Sequence, residues 1–410
     1  MKKLMGGFLS AMLLASLLTG CSAKAKTCSD NALFKSRNVQ AATLEQETDE
    51  EYRRAYSEFV FGVMRSCAES SGKQNIVISP DSLFFVLEMA AAGADGTTLE
   101  QMTGTMVPGA SNEDGLMFGV NHYNELQNES LTIANSMWIN KDFQVYEDYV
   151  EYVKKNFDAD VTYTAFDDEA VKAINSWVND ETDGMIPSII RDLDSDERLM
   201  LINAITFVGT WNQEYKPHMI TDGTFQSGFG AEETCTYLNS YEKWFVYNDN
   251  CTGFIKDYDD DKYAFMAILP DDENIDINEF MAQMTADDYW DLWDNMEKRT
   301  LAVKMPEFKS EYEKSLIGTL MQMGMTDAFG PDADFSNISV EDIYISSVFQ
   351  KAYIEVNRDG TKAAAVTVGA TQSASVCEIT YIELTRPFAY AIVDKDTGLP
   401  VFLGTVESVK

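Results

Sequence analysis

The two histidines, His122 and His218, are the side chains best suited to acid–base catalysis near neutral pH in this 410-residue sequence. Neither has a serine, cysteine, glutamate or second histidine at a spacing typical of catalysis or metal binding. The sequence also lacks a Gly-x-Ser-x-Gly nucleophile elbow, a phosphate-binding glycine-rich loop and a dinucleotide fingerprint. We therefore do not expect an enzyme, and we expect no cofactor.

An acidic run from Asp257 to Asp261 is a candidate for calcium ligands. It lacks the loop glycine and the closing glutamate of an EF-hand. It also lies directly before an apolar segment, Tyr263 to Leu269, whose composition predicts a strand. We interpret the run as a solvated turn and predict no metal site.

Five cysteines follow Cys21, an odd number without a close pair, namely Cys28, Cys67, Cys235, Cys251 and Cys377. This arrangement is neither a disulfide framework nor a zinc pattern. Cys377 would be a reactive thiol if it were exposed, but a small apolar filler is the more ordinary role of such a residue.

The most distinctive segment runs from Glu355 to Thr367. The 15 residues from Ala363 to Cys377 carry no charge, although a window of that length holds about four charges at average usage. On a strand, successive side chains alternate between two faces. One face would then carry only small, uncharged residues, while Lys362 would lie on the other; the small set is Thr361, Ala363, Ala365, Thr367 and Gly369. The pattern predicts a loop that can later join a sheet as a strand.

This segment resembles the hinge of the serpins, Glu-x-x-x-x-Gly-Thr-x-Ala-Ala-Ala, at six positions: Glu355, Gly360, Thr361, Ala363, Ala364 and Ala365. Further segments that resemble the family follow in the expected order, at 75–83, 93–102, 134–139, 174–186, 201–211, 303–308, 333–336, 386–388 and 402–404. The resemblance spans residues 52–408. It implies an α+β serpin fold with three β-sheets, surrounding helices and an exposed reactive-centre loop.

In this family a protease cleaves the exposed loop, which then inserts into a sheet and carries the acyl-linked protease across the molecule. The resemblance implies that the scissile bond is Ala374-Ser375. The segment from Gly360 to Pro387 is slightly longer than a common serpin loop, so Ser373 and Ser375 are alternatives for the recognised residue. Small residues here favour elastase-like or subtilisin-like proteases, which have shallow specificity pockets. The alternative is that the segment is an undemanding linker.

The resemblance also assigns residues to two regions of the sheet. Trp211 matches the tryptophan of the breach, where the sheet opens, and Ser79, Ser82 and Asn203 match the polar shutter cluster beneath the central strands. Gln350 replaces a histidine found in most serpins; its amide can bridge two strands but cannot titrate near neutral pH. Taken singly, these residues would be interpreted as a core aromatic, a helix cap or a satisfied core amide.

A second departure from the family is Glu307, at a position where relatives often carry a basic residue that pairs with the hinge Glu355. Lys309 lies two residues further on. Strand alternation keeps it on the same face if no bulge intervenes, so it is the candidate replacement.

The N-terminus has the features of a processed segment. Two lysines precede an apolar run from Leu4 to Leu18, and Leu18-Thr19-Gly20-Cys21 resembles a bacterial lipobox. We predict a signal peptide over residues 1–20, a lipidated Cys21 with a flexible tether over 21–49, and a serpin domain over 50–410. The protein would then be extracytoplasmic and held at the cell surface by a lipid anchor. A plain secretory signal, in which Cys21 is incidental, is the alternative.

The formal net charge is −36, and lysine and arginine occur singly or in pairs rather than as a stripe. We therefore expect no nucleic acid and no heparin-like cofactor as partners. We expect a monomer whose partner is a target serine protease. The leading hypothesis is an inhibitory serpin, and the alternative is a non-inhibitory serpin that acts as a surface binding or adhesion protein. The small hinge residues favour inhibition, because non-inhibitory members tend to carry bulky, charged or proline residues there.

Overall fold

The structure is a computed structural model that describes residues 46–126, 128–194, 197–361 and 379–410. The helices in chain order are α1 (Gln46–Ser71), α2 (Pro80–Ala92), α3 (Gly96–Met106), α4 (Asn112–Leu126), α5 (Glu147–Phe157), α6 (Asp168–Glu181), α7 (Ile277–Gln283), α8 (Ala286–Asp294) and α9 (Ile317–Gln322). Two short 3₁₀ turns lie at Pro217–Met219 and Asp327–Phe329. No helix within these ranges is long and apolar enough to cross a membrane.

The strands in chain order are β1 (Ile76–Ile78), β2 (Leu131–Asn140), β3 (Asp160–Thr164), β4 (Leu199–Phe207), β5 (Gly209–Thr210), β6 (Ile220–Gln226), β7 (Glu232–Tyr247), β8 (Cys251–Asp257), β9 (Tyr263–Pro270), β10 (Glu297–Pro306), β11 (Phe308–Ser315), β12 (Phe349–Asn357), β13 (Gly360–Thr361), β14 (Ile379–Glu383), β15 (Phe388–Asp394) and β16 (Pro400–Val406).

The strands form three sheets, as the resemblance implied. The longest hydrogen-bonded path has the order β1-β16-β15-β9-β8-β7-β10-β14, with β6 also paired to β7. Strand β7 joins two sheets along this path, because residues 232–245 pair with β6 and β10 whereas residues 244–247 pair with β8. The predicted α+β class with three sheets is confirmed.

The third sheet is divided at its centre. Its two parts have the orders β3-β2-β4 and β11-β12-β13-β5. Among the described residues β4 and β12 do not pair with one another, and side chains of both strands line the space between them. We call this space between β4 and β12 the slot. Val178 of α6 and Ile186 also line it, so α6 and the turn after it cover part of the slot.

Helix α1 packs against α2, with the Tyr56 and Phe84 ring centroids 4.6 Å apart. On α1, the fully buried side chains of Tyr56, Val60, Val63 and Cys67 recur at the spacing of one helix face. Helix α2 packs against β4 and begins at Pro80, whose fixed φ suits a first helical position. Ser79, the residue before Pro80, lines the slot.

Helix α1 includes residues 46–49, which fall within the predicted tether over 21–49; the predicted division of the chain stays a prediction. Asp49 and Arg53 form an ion pair at 2.7 Å across one turn, and Arg53 also contacts Glu125 at 2.9 Å. These contacts extend a helix through polar residues that show no apolar period. The predicted signal peptide and Cys21 lie outside the described residues.

Candidate functional site

The hinge begins where β12 ends. At Asn357 the chain reverses over two residues into β13, and the Asn357 Oδ1 accepts a hydrogen bond from the Asp359 backbone N–H at 2.9 Å. Gly360 has a φ of 142°, and a Cβ there would lie 2.0 Å from the backbone oxygen of Gly209. Only glycine fits this position, because any side chain would collide with β5.

Thr361 lies inside the divided sheet, between two strands. It pairs antiparallel with Val356 of β12 and with Gly209 of β5. Only 3% of its surface is exposed, and its Oγ1 lies 2.7 Å from the Tyr258 hydroxyl. Because cross-strand partners point to the same side, Thr361 faces the side on which β12 carries its buried residues. The first residue after the hinge glycine therefore occupies an inward position.

Several predicted site residues lie outside the described residues, and their roles stay predictions: Ala363, Ala364, Ala365, Ala374, Ser375 and Cys377.

A buried cluster packs against the hinge turn. We call it the breach cluster, and its members are Trp211, Tyr215, Glu242, Lys256 and Tyr258. The Trp211 indole Nε1 donates to the backbone oxygen of Asn357 at 2.8 Å. The Trp211 and Tyr258 rings stack with centroids 4.7 Å apart and planes 9° apart. One pair of stacked rings thus binds the hinge at Asn357 and at Thr361.

A buried ion pair underlies the stacked rings. The Lys256 Nζ lies 2.8 Å from the Glu242 Oε1, and it lies 5.3 Å from the Trp211 ring centroid and 4.7 Å from that of Tyr215. Burial lowers the pKa of Lys256, but Glu242 and Tyr215 together raise it by more than burial lowers it. The pKa therefore lies above its ordinary value. Burial raises the pKa of Tyr258, which keeps its hydroxyl protonated beside Thr361.

Two ion pairs connect the hinge to β11 and to Glu307, the residue directly before β11. The Lys309 Nζ lies 3.1 Å from the Glu355 Oε2, and the two residues are direct cross-strand partners in an unbroken register. Burial raises the pKa of Glu355, but hydrogen bonds from Lys309 and Tyr353 together lower it by more than burial raises it. The net shift of the pKa is therefore downward. Glu307 accepts from the Arg358 side chain at 2.9 Å and 3.2 Å. The acidic residue at position 307 is therefore matched by a basic residue in the hinge turn.

The predicted shutter residues meet beneath the slot. The Ser79 Oγ caps α2 by accepting from the Ser82 backbone N–H at 3.4 Å, and the Gln350 Nε2 donates to the Ser79 backbone oxygen at 2.5 Å. The Ser82 Oγ donates to the backbone oxygen of Asn203 at 3.5 Å. The Asn203 Nδ2 donates to the Asn135 Oδ1 at 2.8 Å. All four predicted residues thus belong to one hydrogen-bonded group, and Asn135 is its fifth member through its bond to Asn203.

Two acceptors of this group lack partners. The Asn203 Oδ1 and the Gln350 Oε1 are buried and have no hydrogen bond within the described residues, and both side chains line the slot. A buried acceptor without a partner costs about 1–3 kcal/mol. The slot therefore offers two acceptors to any strand that brings donors into it.

Sequence patterns missed some members of the site. Tyr258 lies within the acidic run that was interpreted as a solvated turn, and its side chain is fully buried, so that interpretation is wrong for this residue. Arg358 and Lys256 gave no signal, because their partners are distant in the chain. Asn135 could have been predicted, since it belongs to the segment 134–139 that resembles the family.

The other candidate residues lie elsewhere. His122 is buried with its Nε2 2.8 Å from the Asp81 Oδ1, His218 is exposed in a 3₁₀ turn, and neither lines the slot. Cys67, Cys235 and Cys251 are free thiols. The described ranges contain no group of three or more His, Cys, Asp or Glu residues arranged to hold a metal ion.

Comparison with known proteins identifies the family. Residues 54–409 match the family model described as Serpin (serine protease inhibitor). Leukocyte elastase inhibitor of Xenopus tropicalis is 29% identical over 372 residues, which cover 86% of this chain and 98% of the relative. An uncharacterized serpin-like protein of Methanosarcina acetivorans is 32% identical over 361 residues, which cover 83% of each chain.

The solved structures agree. The thermophilic serpin tengpin in its native state has a TM-score of 0.80 and 35% identity, covering 90% of this chain and 95% of tengpin. Its latent state has a TM-score of 0.78 and 33% identity, covering 90% of this chain and all of that one. The chain therefore belongs to the serpin family of serine protease inhibitors.

Proposed function

We propose that this protein is an inhibitory serpin, a suicide substrate that traps serine proteases by inserting its cleaved loop into the slot. The observation that supports this most directly is the position of Thr361. It already pairs with β12 on one side and β5 on the other, and Tyr258 holds its hydroxyl. This pairing supports an insertion that would start at this end of the slot.

The two registers at Thr361 indicate where further insertion would lead. Continued along β12 and β4, both registers would bring Thr367 between Gln350 and Asn203. These are the residues with unpartnered acceptors in the slot, and a threonine hydroxyl is a suitable donor. The inward positions between the two threonines are alanines. An inserted loop would thus bury only small side chains.

In the proposed reaction, the protease serine attacks the carbonyl carbon of Ala374 and forms an ester. The bond to Ser375 breaks, and Ser375 leaves with a new protonated amino group. Insertion of the freed strand then competes with hydrolysis of that ester by water. Strand addition and release of a strained loop are the established behaviour of this family.

Side-chain burial would drive the insertion. Each inserted residue gains about two hydrogen bonds of about 1 kcal/mol net, whereas fixing its backbone costs about 1–2 kcal/mol. These contributions nearly cancel. A buried, unpaired charge would oppose insertion by several kcal/mol, so the uncharged inward face is required.

We further propose that the target protease has elastase-like or subtilisin-like specificity for small residues. Ala374 and Ser375 are both small, and a shallow pocket accepts such residues whereas a trypsin-like pocket requires a basic one. The relative named leukocyte elastase inhibitor supports this choice. Nothing in the arrangement of basic residues calls for a heparin-like cofactor, and we expect the inhibitor to act as a monomer.

The deciding experiment is incubation with pancreatic elastase or subtilisin, followed by denaturing electrophoresis. We expect a covalent band at the summed mass of inhibitor and protease. Cleaved protein without that band would instead support the alternative, a non-inhibitory serpin that acts as a surface binding or adhesion protein.

We also propose that the protein is a bacterial lipoprotein, extracytoplasmic and anchored at the cell surface through acylated Cys21. The supporting feature is the run of two lysines, an apolar segment and Leu18-Thr19-Gly20-Cys21. In a bacterial host, the parent should incorporate labelled palmitate and fractionate with membranes, and Cys21→Ala should do neither. Equal membrane association of both proteins would refute the anchor.

A further inference from the structure

Two exposed tyrosines lie on the sheet that contains β14, the first described strand after the loop. Tyr241 of β7 and Tyr381 of β14 both pair with Ala302 of β10, one antiparallel and one parallel. Their exposed fractions are 58% and 70%. Since cross-strand partners share a face, both rings stand on the same side of the sheet, with only a methyl group between them.

The opposite face of the same strands is the buried one. Leu301, Val303 and Ile382 are nearly inaccessible, which is the alternation expected of a sheet with one wet face. Ile379 of β14 lies on the tyrosine side and is also exposed, at 39%. No hydrogen bond or ring contact engages Tyr241 or Tyr381 within the described part of the chain. We call Tyr241, Ala302, Ile379 and Tyr381 the tyrosine patch.

We infer that the tyrosine patch is a docking surface for the body of the target protease, in addition to the loop that occupies its active-site cleft. The inference rests on the proposed inhibitory function. Tyrosine is one of the residues enriched in the energetically dominant centres of protein interfaces, because it buries a large ring at a small cost in side-chain entropy.

Chain length places the patch within reach of the bound protease. Four residue steps separate Ser375 from Ile379, so their Cα atoms lie at most about 14 Å apart. An interface of standard size buries about 800 Å² on each partner, which corresponds to a patch of about 16 Å radius. A protease centred on the predicted scissile bond therefore reaches Ile379 even at full extension of the intervening residues. Tyr381 is two residues further along β14, at most about 21 Å from that bond, so it enters the footprint when the intervening steps are shorter than this maximum.

The patch is separate from the hinge machinery. On β7, Tyr241 points outward, whereas the neighbouring Ser240 and Glu242 point inward, where Glu242 binds Lys256 of the breach cluster. Changing the patch should thus alter how fast a protease attacks the loop, but not how the acyl-enzyme partitions between trapping and hydrolysis.

The test compares the parent with the double variant Tyr241→Ala, Tyr381→Ala. The measurement is the second-order rate constant for loss of intact protein in excess pancreatic elastase or subtilisin, which counts trapped and cleaved molecules alike. We expect the double variant to react at about one tenth of the parental rate, with an unchanged number of molecules consumed per protease inactivated. Ala302→Lys, which inserts a charge between the tyrosines, should also slow the reaction.

Tyr344→Ala is the matched control, because Tyr344 is 59% exposed and lies in the segment before β12. It should react at the parental rate. The docking inference is overturned if the double variant reacts within twofold of the parent with both proteases. It is also overturned if the parent self-associates by size-exclusion chromatography and the variant differs only in that property. A parent that is cleaved but not trapped refutes inhibition alone, since the rate comparison still reports on docking.

Discussion

The Tyr258 hydroxyl lies 2.7 Å from the Thr361 Oγ1 inside the protein, although 103 residues separate them in the chain. Tyr258 also stacks on Trp211, whose indole donates to the backbone of Asn357. The stacked rings therefore fix the hinge on both sides of its turn. Gly360 lies between these two attachment points and passes close to β5.

Removal of the Tyr258 hydroxyl should weaken the hinge without disturbing the ring stack. Tyr258→Phe leaves the Thr361 Oγ1 buried without its partner, at a cost of about 1 kcal/mol. If this bond helps the strand start to insert, the partition between trapping and hydrolysis shifts by about fivefold towards hydrolysis. The measurement is the number of inhibitor molecules consumed per protease inactivated, which we expect to rise.

The matched control is Tyr289→Phe. Tyr289 is equally buried, and its hydroxyl donates to the Gly398 backbone oxygen at 2.6 Å, away from the hinge. Both variants should lose similar thermal stability, but only Tyr258→Phe should consume more inhibitor. An equal effect of the two variants on consumption would show that Tyr258 acts only through general stability.

The inward position of Thr361 was predictable because its evidence is local, whereas the roles of Ala363, Ala364 and Ala365 stay predictions. An uncharged run with small residues at alternate positions is visible in the sequence, and Thr361 faces inward as alternation requires. The pairing of Lys309 with Glu355 was also predictable, because two strands in unbroken register keep alternate residues on one face.

The remainder depends on tertiary contacts that local patterns do not encode. Tyr258 lies among aspartates, and its burial follows from where the turn between β8 and β9 meets the hinge. Arg358 binds Glu307 only because the hinge turn lies beside the residue that links β10 to β11. The division of the central sheet is likewise a property of strand pairing, since the compositions of β4 and β12 do not reveal that they stay apart.

Cleavage within the loop should raise the melting temperature. Insertion would pair a strand with both β4 and β12 and bring donors to the Asn203 Oδ1 and the Gln350 Oε1, each worth about 1–3 kcal/mol when satisfied. With the added burial, a gain of about 10 °C or more is expected. Calorimetry of intact and elastase-cleaved protein at one scan rate provides the measurement, because the apparent melting temperature of a kinetically stable form depends on scan rate. Identical melting temperatures would mean that the loop does not insert.

Glu407 should make thermal stability depend on pH. Burial, followed by the neighbouring Asp276, raises the pKa of Glu407 from 4.5 to about 7. A raised folded-state pKa stabilises the protein fully below about pH 4.5, and this contribution is lost as pH rises through about 7. Allowing for solvent screening, the loss is about 1–2 kcal/mol at pH 8.

The variant Glu407→Gln cannot ionise and should escape this loss. Its melting temperature relative to the parent should rise by a few degrees between pH 5 and pH 8. Glu58→Gln, at an exposed position on α1, is the control and should show no such trend. A constant difference between Glu407→Gln and the parent across this range would contradict the pKa assignment.

Thr361→Arg should convert the inhibitor into a substrate while leaving the fold intact. Thr361 is 3% exposed between Val356 and Gly209, so an arginine there would bury a charge that cannot be deprotonated. A penalty of several kcal/mol at the opening step slows insertion and gives the acyl-enzyme time to hydrolyse. The arginine side chain can avoid burial if β13 leaves the sheet, so we expect a local displacement of β13 while the rest of the fold is unchanged.

The measurement is again the number of molecules consumed per protease inactivated, with Lys362→Arg as the control. Strand alternation would place position 362 on the opposite, wet face, so we expect that variant to inhibit as well as the parent. Thr361→Ser, which keeps the hydroxyl beside Tyr258, should also inhibit normally. If Thr361→Arg traps protease as efficiently as Lys362→Arg, insertion does not pass through the inward position that Thr361 occupies, and the hinge assignment is wrong.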